Sequence, residues 1–76
     1  MPKVFSGKST IKILCKHFGF TAVSQKGSHM KLQKKSGIRT ITTIVPLHRE
    51  LAHGTLLSAL DLAEVHEEDF NNASKQ

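Results

Sequence analysis

The sequence predicts a small α+β domain in the order helix, three-stranded antiparallel sheet, helix. Three observations carry this expectation. Ile11, Leu14, Cys15 and Phe18 recur at helical spacing near the start. Three short runs then follow, separated by glycine-bearing turns, and the last of them stops at Pro46. A second apolar stripe, Leu56, Leu57, Leu60 and Ala63, lies near the end. With both helices packed on one side, the other face of the sheet is left open to solvent.

Length and composition bound what such a domain does. The chain has 76 residues, enough for one domain spanning 1–76, with an ordered core expected over about 6–70 and a tail, 71–76, expected to fray. It lacks Trp and Tyr, so the core must be aliphatic, with Phe5, Phe18, Phe20 and Phe70 as its candidate rings. A single cysteine cannot form an internal disulfide, and no apolar run reaches transmembrane length. The expectation is a cytoplasmic protein without a membrane role. Net charge is +5, and its distribution is uneven. Residues 1–49 hold eight lysines and two arginines and no acid, while all six acids lie from Glu50 onward. A basic body of this kind meets phosphates, an acidic protein, or only water; charge alone leaves these level.

Each element has its own justification. Met1 to Phe5 is a lead-in, and Ser6 is the N-cap of a helix over about Gly7 to His17. Ser9 stands where an acid often completes a capping box, which predicts a weakened cap. Lys8, Lys12 and Lys16 form a second stripe whose mutual repulsion is offset where anions dock. Cys15 falls on the apolar stripe and reads as a small hydrophobe. Gly19 ends the helix in the left-handed conformation. Gly7-Lys8-Ser9-Thr10 has the ending of a phosphate-binding P-loop, but Pro2 occupies the first glycine's place and no room for the preceding strand is expected, so nucleotide hydrolysis is not expected.

The strands are expected over Phe20–Gln25, His29–Lys34 and Ile38–Val45. In the second, Met30 and Leu32 alternate with His29, Lys31 and Gln33, which separates a core face from an open face. In the third, Ile38, Ile41 and Ile44 recur every three residues, which predicts a bulge and leaves its faces unassigned. His48 and His53 lie five apart, a spacing that does not stack as a metal-binding pair would on a helix, and read as surface residues. A helix over Gly54–Ala63 carries Asp61 and Glu64 at the wrong end for its dipole, so packing must hold it. One more turn over Glu67–Asn71 brings Phe70 back to the core.

The stretch Gln25-Lys26-Gly27-Ser28-His29 is where chemistry concentrates. Gly27 supplies the backbone freedom of a tight turn. His29 opens the second strand on the open face beside Lys31. An imidazole titrates near pH ~6.5, so it is a usable base at neutral pH. RNA carries its own nucleophile, the 2′-OH, beside the scissile phosphate. A neutral imidazole takes that proton, and cations stabilise the charge that develops on the phosphate oxygens. This chemistry needs no metal or other cofactor and yields a 2′,3′-cyclic phosphate and a 5′-OH. Lys26, Lys31 and a substrate-bound water all stay open as the general acid. On the residues alone, an outward histidine on a strand is more often an ordinary surface residue. Lys26, Lys31 and Arg39 are the better candidates for phosphate contacts, and Lys34 and Lys35 read as solvated turn charges.

Ser6-Gly7-Lys8, Gly19-Phe20, Gln25-Lys26-Gly27-Ser28-His29 and Gly54-Thr55-Leu56 together resemble the HicA-type mRNA interferase toxins, over about Ser6 to Phe70. The resemblance implies a fold like that of double-stranded-RNA-binding domains and a ribonuclease activity against messenger RNA. It implies a HicB-type antitoxin as partner, and it places the family's catalytic histidine on His29. The RNA-binding set expected around it is Lys26, Gly27, Ser28, Lys31 and Arg39. The sequence departs from the family pattern at Leu57, where a basic residue is common, and at Glu64 and His66, in place of Gly and Ser. Two alternatives use the same basic face: a non-catalytic RNA-binding module, and a domain that only docks an acidic protein.

Overall fold

A computed structural model describes residues 4–76, so the first three residues of the lead-in, and Pro2 with them, lie outside the described residues. The elements are α1 (Gly7–His17), β1 (Thr21–Lys26), β2 (His29–Ser36), β3 (Arg39–Pro46), α2 (His53–Leu62) and α3 (Glu67–Ala73). The strands form one antiparallel sheet in the order β1-β2-β3. This is the expected α+β architecture, with a short third helix where one further turn was anticipated. The helix passes Asn71 and continues to Ala73. Among the described residues no helix is long and apolar enough to cross a membrane.

Local chemistry explains each boundary. The Ser6 hydroxyl accepts from the Ser9 N–H at 3.0 Å, and the Ser6 N–H donates to the Ser9 hydroxyl at 3.1 Å. The capping box is therefore complete with serine in the acid's place, contrary to the weakened cap expected. Gly19 follows α1 at φ 79°, as its position predicted. No side chain caps α2, whose N-cap is Ala52. That helix is held by burial of Leu56, Ala59 and Leu60, while Leu57, expected beside them, is 37% exposed.

The helices cover one face of the sheet. The core comprises Phe5, Leu14 of α1, Phe20, Leu32 of β2, Ile41 and Val45 of β3, Leu51 ahead of α2, Leu56, Ala59 and Leu60 of α2, Ala63 at its C-cap, and Phe70 of α3. Phe5 meets Phe70 edge to face at 4.9 Å between ring centroids. One expectation for the strands is corrected, the bulge in β3. The β2–β3 register runs without interruption from His29↔Pro46 to Ser36↔Arg39, so β3 carries no bulge. Its core face is Ile41, Thr43 and Val45, at the ordinary period of two, while Ile44 faces away and Ile38, in the turn before β3, is exposed. Thr43 joins the core because its hydroxyl donates to the Ala59 carbonyl at 2.7 Å, which satisfies a polar group that burial would otherwise penalise. The bulge lies instead in β1, between Ala22 and Ser24, where Val23 is the extra residue.

Candidate active site

The open face of the sheet gathers the residues that matter. Lys26 and His29 pair across a two-residue connection, Gly27-Ser28. Gly27 has φ 58° and Ser28 does not share that sign, the pattern of a type II′ hairpin turn. The Gln25 side-chain amide donates to the Gly27 carbonyl at 2.9 Å and fixes the turn from outside. The Ser28 carbonyl accepts from the Leu47 N–H at 2.6 Å, which ties the turn to the chain as it leaves β3. The His29 backbone is therefore held on both flanks, by Lys26 and by Pro46.

The bulge at Val23 sets what stands beside the imidazole. Beyond it, Ser24 pairs with Lys31 and Lys26 with His29, so both β1 residues share the open face with them. Ile44 lies opposite Lys31 on β3. Ser24, Lys26, His29, Lys31 and Ile44 line one depression of about 520 Å³. Directly paired residues have Cα atoms about 5 Å apart, and His29 and Lys31, two along one strand, lie roughly 7 Å apart. Two ammonium groups thus flank one imidazole within reach of a single phosphodiester. Neither the His29 ring nor the two lysines has a hydrogen bond or ion pair within the described chain. The three polar groups are free to face a ligand.

Of the residues singled out in the sequence, Lys26, Gly27, Ser28, His29 and Lys31 come together here. Arg39 does not. It starts β3, pairs with Ser36 and carries the same parity as Ile41, so it points to the helix side, where its guanidinium is ion-paired with Glu64. Seven residues separate it from Pro46, the partner of His29, which places it roughly 23 Å along the strand from the imidazole. Ser24 and Ile44 belong to the depression and were not singled out, because the bulge was expected in β3 and the faces of β3 were left unassigned. His53 pairs with Glu67 at 2.7 Å, away from this face. Cys15 is half-buried, and burial pushes its thiol up, which disfavours the thiolate.

The family model described as the HicA toxin of bacterial toxin-antitoxin systems matches residues 7–65. The match contains every residue of the depression. No curated protein gives a significant match to the chain.

Proposed function

The chain belongs to the HicA toxin family of bacterial toxin–antitoxin systems, and on that premise we propose that it is an endoribonuclease that cleaves messenger RNA, with His29 as general base. The observation that carries this reading is the depression itself, one unpaired imidazole between two unpaired lysines on an otherwise open sheet face. The scissile phosphate lies over Lys26 and Lys31. His29 takes the proton of the adjacent 2′-OH, and that oxygen attacks phosphorus as the 5′-oxygen leaves. Lys26, Lys31 or a bound water returns a proton to the leaving oxygen. The lysines stabilise the charge that grows on the non-bridging oxygens. Among the described residues no carboxylate is paired with the ring, so the bound substrate sets its final geometry.

The same charge requires a keeper. A HicB-type antitoxin with an acidic surface masks His29 and the basic face in the cytoplasm, because uncompensated cations otherwise draw RNA non-specifically. Product termini test the reaction. Cleavage in the presence of EDTA should leave 2′,3′-cyclic phosphate and 5′-OH ends. Products bearing 5′-phosphate, or cleavage abolished by EDTA, would refute the 2′-OH mechanism.

A further inference from the structure

Lys8, Lys12 and Lys16 are exposed along α1, none has an ion pair within the described chain, and α1 has no acid in its first turn. The arrangement is costly to the helix. Like charges four apart repel, and Lys8 sits at the end where the helix dipole disfavours a cation. The row also has a fixed relation to the depression. The Gly7 N–H donates to the His48 carbonyl at 2.8 Å, and the Leu47 N–H donates to Ser28 at 2.6 Å. The start of α1, the exit of β3 and the Gly27-Ser28 turn are thus joined at one end of the molecule, and Lys8 follows directly from that junction. From there the lysines step along the helix at about 6 Å per four residues, close to the spacing of successive phosphates on a strand.

We propose that Lys8, Lys12 and Lys16 form a second RNA-binding track that holds the phosphates of the strand as it leaves His29, so that long RNA is preferred over short. This rests on the ribonuclease reading. It names three residues outside the depression and a property, length preference, that the depression alone does not confer. Point charges without aromatic or hydrogen-bonding partners hold a backbone without reading its bases.

The test compares the wild type with Lys8→Gln/Lys12→Gln/Lys16→Gln on a dinucleotide and on an RNA of some tens of nucleotides. The variant should cut the dinucleotide at the wild-type kcat/KM. On the long RNA its KM should rise about tenfold, and the salt slope of binding should fall by about 2, at roughly 0.7 per lost contact. Its Tm should not drop, since repulsion is relieved. Equal KM and salt slope on the long RNA would overturn the track while leaving the nuclease standing. Weaker binding of an acidic antitoxin with RNA parameters unchanged would also overturn it and assign the row to a protein. A wild type that neither binds nor cuts either RNA would sink the nuclease reading and the track with it.

Discussion

The Gly7 N–H meets the His48 carbonyl at 2.8 Å, where a Cβ on Gly7 would fall 2.0 Å from the Pro46 carbonyl oxygen. Only glycine lets the first turn of α1 lie against the chain leaving β3. The contact does more than pack a helix, because Pro46 is the strand partner of His29.

Gly7→Ala must therefore push backbone from backbone. Overpacking of this kind costs about 1–3 kcal/mol, and for a domain of this size each kcal/mol lowers Tm by about 4–8 °C. Thermal unfolding followed by circular dichroism should show the drop. Cleavage should fall as well, since Pro46 moves with the helix. An unchanged Tm would mean that the junction is not as close as the structure places it.

How far the sequence disclosed this arrangement depends on the residue. The alternation of Met30 and Leu32 with His29 and Lys31 is complete, so the open face of β2 and the place of His29 were legible. β3 was not, because its core face contains Thr43, a polar residue whose burial depends on an acceptor from α2, sixteen residues away in the chain. Three isoleucines at a misleading spacing then drew the bulge into the wrong strand. β1 left no periodic signal, since all of its residues are exposed, and its bulge shows only in the pairing with β2. Arg39 was grouped with Lys26 and Lys31 by charge, when parity sends it to the opposite face.

That separation makes a discriminating prediction for RNA binding. Lys26→Ala and Lys31→Ala should each reduce the salt slope by about 0.7, the counterions released per single-strand phosphate contact. Arg39→Ala should leave the slope unchanged, because its guanidinium faces the helix side and pairs with Glu64. Filter-binding titrations over a range of salt measure all three. A loss of slope in Arg39→Ala alone would invert the assignment of faces.

Glu64 is the non-glycine residue at positive φ among those described, at 58° just past α2. An L-residue there pays about 1–2 kcal/mol. Glu64→Gly and Glu64→Ala both remove the exposed ion pair with Arg39, which contributes little at the surface. They differ only in the Cβ. Glu64→Gly should be the more stable of the two by about 1 kcal/mol in urea unfolding. The reverse order would contradict the left-handed turn.

The ribonuclease reading stands or falls on His29→Ala. The imidazole lies on the face opposite Met30 and Leu32 and makes no contact that holds the fold, so the variant should unfold at the wild-type temperature. RNA affinity should persist, because Lys26 and Lys31 remain. Loss of a general base typically costs ~10²–10⁴-fold, so single-turnover cleavage of saturating RNA should slow by that factor. Folded, RNA-binding His29→Ala that cleaves at the wild-type rate would contradict the assignment and leave a basic RNA-binding face with no catalytic base.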